Sequence, residues 1–196
     1  MSVKCMQIFS SCLIMSKRQQ LASQNREDLL EAAIHIFRKH GIRSPLQLVI
    51  DEAGLGRATF YRNFKDRREL VIALMEQALE RLDDKAKLYA KSPDGFLLLI
   101  ENHVQNLPYL TALMEYWRVI QHDDPVLTDI YQRRDAILQP LIDQAIVHQF
   151  CRVDFTARDY TMITAILRSS FQGVDDAEQM ILAKRAIDLL INGIKA

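Results

Sequence analysis

A chain of 196 residues with 49% hydrophobic content, six glycines and five prolines can bury a sizeable core, which excludes a disordered chain and, with few alternating β-branched runs, favours helices over sheet. The formal net charge is zero, which alone speaks against a general nucleic-acid binder, yet residues 16–68 hold 11 Lys/Arg against 6 Asp/Glu (net +5) and residues 69–196 hold 13 against 19 (net −6). Three cysteines without a Cys-x-x-Cys or paired spacing fit a reducing, cytoplasmic setting, and no apolar run approaches the roughly 18 residues of a membrane span.

The first fifteen residues, MSVKCMQIFSSCLIM, carry an apolar segment broken by Gln and Ser and only one Lys, so neither a folded element nor a signal peptide is expected there. Met15 stands as an alternative translation start to Met1. Residues 1–23 are expected to form an amino-terminal arm, in part disordered. Lys17, Arg18 and Arg26 can touch phosphates or a minor groove, as basic arms do, or act as a solubilising tail. A first helix is expected over 24–40, with Leu29, Leu30, Ala33, Ile36 and Phe37 as its apolar stripe and Gly41 as its stop.

Ser44, Pro45 and Gln47 read as a second helix start: a capping hydroxyl, a proline at the first helical position and a side chain that can reach back. Leu46, Val49, Ile50 and Ala53 share one face. Gly54 then falls where the chain must reverse, and Arg57 to Phe64 supplies a further short helix. Two short helices joined by a turn of three or four residues with a glycine make a helix-turn-helix. The net +5 over the same stretch is the electrostatic footprint of a DNA reader.

The run AGLGRATFYRNFKDRREL resembles the helix-turn-helix of the TetR (tetracycline-repressor) transcriptional regulators, whose pattern is roughly A-G-V-S-x-x-T-hydrophobic-Y-x-x-F-x-x-K-x-x-L. Ala53, Gly54, Thr59, Phe60, Tyr61, Phe64 and Leu70 match it. Gly56 stands where the family usually has a capping serine, and Arg67 where a lysine is usual. The resemblance covers Arg26 to Leu70 and is architectural beyond. It implies an all-α chain: a three-helix DNA-binding domain over 24–70, then a larger helical domain for regulation and dimerisation over 71–196.

Arg57 and Thr59 begin the recognition helix, whose first residues reach base edges in this motif, and Arg62 lies about one turn on. By resemblance Tyr61 offers its hydroxyl to a phosphate of double-stranded operator DNA, with Asn63 and Lys65 nearby. Arg67 sits in the first turn of the next helix, where free backbone N–H groups favour a phosphate, and Ser44 holds the equivalent place at the second helix. Phe60, Phe64, Leu55 and Ala53 are assigned to packing.

That next helix opens at Asp66, with Glu69 reaching back, and is expected to run to about Tyr89, linking both parts of the chain. SPDG at 92–95 is a break. Further helices are expected over 96–105, 108–121, 124–149, 156–172 and 176–192, with Pro140 kinking the third of these and Gly193 ending the last. The last two are apolar on more than one stripe, so they need burial on two sides. In the resembled family such helices pair two subunits in a four-helix interface, which implies a homodimer; a deeply buried monomeric hairpin is the plainer alternative.

The resemblance also implies a small-molecule effector, of unknown class, bound in the second domain. His103, Met114, Tyr116, Trp117, Tyr131 and Tyr160 are the candidates to line such a pocket, as aromatic, thioether and imidazole groups give apolar walls with a few polar handles; they also suit plain core. No nucleophile elbow, His-Glu-x-x-His site, phosphate loop or Glu-x-x-His pair occurs, and His35, His40, His103, His122 and His148 have no metal-ligand spacing, so no enzyme activity, metal or cofactor is expected. The reading is a homodimeric regulator, a repressor relieved by a ligand, with activation open. A helical adaptor that never touches DNA is the alternative, against which Arg57, Thr59, Tyr61 and Arg67 stand together.

Overall fold

The computed structural model describes residues 17–102, 124–169 and 176–194, and among these residues the chain is helical without a strand. The helices are α1 (Lys17–His40), α2 (Leu46–Glu52), α3 (Arg57–Asn63), α4 (Arg67–Tyr89), α5 (Gly95–Glu101), α6 (Pro125–Val147), α7 (Ala157–Ser169) and α8 (Asp176–Ile194). The helix expected over 108–121 and the question of Met1 against Met15 lie outside the described residues.

Local chemistry explains most of these boundaries. Gly41 has φ 78°, and its N–H donates to the Phe37 carbonyl, a left-handed stop for α1. The helix-turn-helix corner is a Schellman motif: Gly54 has φ 64°, Leu55 N–H donates to Ile50 O and Gly54 N–H to Asp51 O. Leu55 and Ile50 then meet in the same apolar cluster. Asp66 caps α4 by accepting from Glu69 N–H, and Asp124 caps α6 by accepting from Val126 N–H. Thr156 donates through both its N–H and its hydroxyl to Asp159 at the start of α7.

Five expectations need correction. The first helix begins at Lys17 rather than 24, because nothing in KRQQLAS breaks a helix, so Lys17 is helical. Ser44 does not cap α2; the cap position is Pro45, with no side-chain hydrogen bond, and the buried Ser44 hydroxyl has no partner. Gln47 does not reach back, and turns instead to Asp51 and Arg57. Glu69 reaches back one residue further than the helix cap, accepting from Lys65 N–H at 2.8 Å. Finally, α8 runs past Gly193 to Ile194, since one glycine in a helix costs only about 1 kcal/mol. Pro140 lies inside α6, with Leu138, Leu141 and Ile142 around it still in the core.

Two apolar clusters result. The first joins α1, α2 and α3 to the start of α4 (Leu70, Val71, Leu74, Met75) and to Leu127 and Ile130 of α6. The second gathers Ala86 at the end of α4, α5, the later turns of α6, α7 and α8. Fully buried Phe37, Phe60, Phe64 and Leu70 anchor the first, each worth about 1.5–3 kcal/mol of burial. Among the described helices α4 and α6 alone enter both clusters, and they pack along each other. Arg68 pairs with Asp124 at 2.7 Å and, two turns on, Glu76 pairs with Arg133 at 2.8 Å, so the two helices run in the same direction. The Arg68 guanidinium holds the Asp124 carboxyl below its ordinary range.

Candidate nucleic-acid interface

The recognition helix α3 is built on two buried rings. Phe60 and Phe64 lie 5.9 Å apart and are essentially inaccessible, which fixes one face of α3 against α1 and turns the opposite face outward. Arg26 of α1 adds to this contact: its guanidinium lies 4.5 Å from the Phe64 ring centre, and it donates to Asn63 O at 3.4 Å. Its cation–π contact therefore supports α3, a role the sequence does not signal.

The outward face carries Arg57, Arg62 and Tyr61, all exposed, with Thr59 half-buried between them. Tyr61 is 56% exposed, and its ring stands edge-on to Phe60 at 5.3 Å, so the phenol is held at its base while its hydroxyl end faces out. Arg62 folds back along the helix, donating to Ala58 O (3.1 Å) and Thr59 Oγ1 (3.2 Å). Asn63 donates to Thr59 O at 2.9 Å. Lys65 is exposed beyond α3, its ammonium 3.2 Å from Glu69. Glu69 in turn is held below the usual carboxylate range, first by the Lys65 backbone N–H and then by its side chain.

Ser44 and Arg67 stand apart from this group. The Arg67 guanidinium points inward, donating to Ile42 O and Ser44 O, both at 2.5 Å, over the Phe37 ring at 5.6 Å. Ser44 is 6% exposed beneath it. The structure thus brings Arg57, Thr59, Tyr61, Arg62, Asn63 and Lys65 to one region and commits Arg67 to the α1–α2 connection.

Gly56, at the cap of α3, has φ −86°, and a Cβ there would meet nothing within 4 Å. A serine fits this backbone, can accept from the α3 N–H groups and narrows the unfolded ensemble. Gly56→Ser is expected to raise stability by about 0.5–1 kcal/mol, read as a higher urea midpoint at unchanged slope; a lower midpoint would contradict the open space at this cap.

Of the effector candidates, His103, Met114, Tyr116 and Trp117 lie outside the described residues. Tyr131 of α6 packs against the first cluster, and Tyr160 of α7 lies inside the second. Burial raises both phenol pKa values well above normal, opposed by the charge of Arg134, whose guanidinium sits 4.7 Å over the Tyr131 ring. Arg134 thus stands over Tyr131, a contact that the sequence does not signal.

Two short helices joined by a glycine corner, the second turning a basic face outward, form a helix-turn-helix, the motif that places a helix in the DNA major groove. Residues 29–74 match the family described as bacterial regulatory proteins, tetR family. The fold agrees with solved structures of TetR regulators: one from Streptomyces coelicolor (24% identity, TM-score 0.63, covering 87% of this chain and 98% of that one); one from Mycobacterium vanbaalenii (19%, 0.62, 89% and 97%); and one from Rhodococcus RHA1 (15%, 0.64, 93% and 99%). No curated protein matches the chain. The family match thus falls on the helix-turn-helix and the start of α4, and the rest of the likeness to TetR regulators is one of fold. Among the described residues no helix is long and apolar enough to cross a membrane.

Proposed function

We propose that the protein is a homodimeric repressor that holds a palindromic operator and leaves it when a small molecule binds the carboxy-terminal helices. The observation that carries this is the exposed face of α3, with Arg57, Tyr61 and Arg62 outward over buried Phe60 and Phe64, on a segment that matches the tetR model. In this reading Arg57 and Thr59 meet base edges, Arg62 follows them in the groove, and Tyr61, Asn63 and Lys65 hold phosphates. Arg67 and Ser44 act indirectly, by fixing the corner on which α2 stands.

The last two helices support the dimer. Helix α8 buries Ala183, Ile187 and Ile191, four residues apart, while Ile181 and Leu189 are 68% and 57% exposed; on α7, Met162 is 59% exposed and Ile166 45%. Apolar residues left in water on both adjoining helices fit a second copy of the pair. Two recognition helices must then enter major grooves about 34–36 Å apart, which requires a palindromic site. Release is carried by α4, which begins beside α3 and ends among the carboxy-terminal helices, so an effector among those helices can reset the spacing of the DNA-binding heads. Tyr131 and Tyr160 are the described members of the effector set.

Binding to the DNA just upstream of the protein's own gene, against random DNA at equal salt, tests this. A footprint of two symmetric half-sites is expected; equal weak binding to both DNAs would count against operator recognition. Arg57→Ala is expected to cost about 1–3 kcal/mol on the operator and to relax its sequence preference, whereas Lys65→Ala weakens all DNA alike and lowers the salt slope by about one. Equal losses on both DNAs from both changes would remove this division of labour.

A further inference from the structure

One chain of side-chain hydrogen bonds links α2 to the first residue of α3. Arg57 Nε donates to Gln47 Oε1 at 2.5 Å, and Gln47 Nε2 donates to Asp51 Oδ1 at 2.7 Å. The two ends of the Gln47 amide are chemically unlike, so the Asp51 carboxylate, which only accepts, fixes which end faces it. The amide NH2 must turn to Asp51, and the amide oxygen is left facing the guanidinium. A glutamine at 47 does this without charge, so Arg57 is steered while its positive charge stays available to DNA; a carboxylate there would hold it but also cancel it.

The state in which Arg57 is held matters for what it can read. With Nε engaged, Nη1 and Nη2 have no partner among the described residues, and the side chain is exposed. Two parallel N–H groups at the tip of a planar fork match the O6 and N7 acceptors of guanine in the major groove, the commonest specific contact that arginine makes. Fixing the inner nitrogen removes rotamer freedom before DNA arrives, so less is lost on binding.

We infer that Gln47, oriented by Asp51, is a positioning residue that sets Arg57 to read a guanine in each operator half-site. The inference rests on the DNA-binding reading above.

Selection from a pool of duplexes randomised over about 20 base pairs, with the full-length protein, provides the probe. The enriched duplex and its single-base-pair variants are then bound to wild type, Gln47→Ala, Asp51→Ala, Arg57→Ala and the Gln47→Ala/Arg57→Ala double variant, with circular dichroism confirming helicity. For wild type, replacing one guanine per half-site is expected to weaken binding by about 5- to 150-fold. Gln47→Ala should lose most of that discrimination, with affinity for random duplex and the salt slope unchanged. Asp51→Ala should lose part of it, which keeps the test open if the first variant fails to fold. The double variant should discriminate no worse than Arg57→Ala alone, because Gln47 acts only through Arg57.

Full discrimination retained by Gln47→Ala or Asp51→Ala, or a further loss in the double variant, overturns the inference while operator binding stands. So does an enriched sequence with no guanine whose replacement is silent in Arg57→Ala. If wild type enriches no sequence at all, the DNA-binding reading fails, and this inference with it.

Discussion

Replacing Arg67 by alanine is expected to lower stability by about 2–3 kcal/mol, and the thermal midpoint by about 5–10 °C for a chain of this size, while the salt dependence of DNA binding per folded molecule stays as in wild type. The reason is where the guanidinium sits. It donates to Ile42 O and Ser44 O and covers the Phe37 ring, so it ties the first turn of α4 to the connection between α1 and α2. Hydrogen bonds from a charged donor contribute about 1.5–3 kcal/mol, and carbonyls left behind in a half-buried place lose their partner without gaining full hydration. Arg67→Lys should recover only part of the loss, since one ammonium cannot reproduce a fork that spans two carbonyls. If instead Arg67→Ala kept the thermal midpoint and cut the salt slope by about one, Arg67 would belong with Lys65 among the phosphate contacts.

Arg67 also shows where the sequence stops being legible. Its place in the first turn of a helix, in a basic stretch, points to a phosphate, because helix amino termini attract anions. What decides its direction is the proximity of Ile42 and Ser44, more than twenty residues back, and no local pattern carries that. Gln47 failed as a capping residue for the same reason: its partner Arg57 comes from the next helix. By contrast the corner at Gly54, the caps at Asp66 and Asp124 and the pair Thr156–Asp159 are local chemistry, and they fall where the residues alone put them. The all-helical class was legible from periodicity. The start of α1 at Lys17 was not, since the residues before 24 read as a polar arm although nothing in them stops a helix. On α3 the assignment of Phe60 and Phe64 to packing follows from spacing, and the exposure of Arg57, Tyr61 and Arg62 is its geometric complement. Arg26 beneath Phe64 and Arg134 over Tyr131 are long side chains whose stems can lie anywhere on a helix surface, so their ring contacts appear only in three dimensions.

Gly95→Ala tests the other end of α4. Glycine at the head of α5 is required here for space, not for an unusual backbone: an added Cβ would overlap the Tyr89 carbonyl oxygen, with the Tyr89 carbonyl carbon at 3.0 Å and Leu141 Cδ2 at 3.3 Å. Leu141 can shift, but Tyr89 is backbone in the last turn of α4 and cannot rotate away. The methyl group must therefore push α5 from α4. Phe96 follows immediately, fully buried, with its ring 5.3 Å from Phe155 and 6.4 Å from Tyr160, so the displacement propagates into the packing of α7. Overpacking of this kind costs about 1–3 kcal/mol, and a clash against backbone belongs at the upper end, which predicts a thermal midpoint lower by about 5–10 °C. Gly56→Ala, where a Cβ meets open space, is the matched control and should leave the midpoint within about 2 °C. An unchanged midpoint in Gly95→Ala would mean that α4 and α5 part without cost. The same variant bears on the proposed release mechanism. Helix α4 has 23 residues, about 35 Å from the cap at Asp66 to Tyr89, so a push at Tyr89 is delivered far from DNA. If α4 carries movement to the recognition helices, Gly95→Ala should weaken operator binding even at a temperature where it is fully folded, and operator affinity equal to wild type under that condition would argue that the two clusters respond independently.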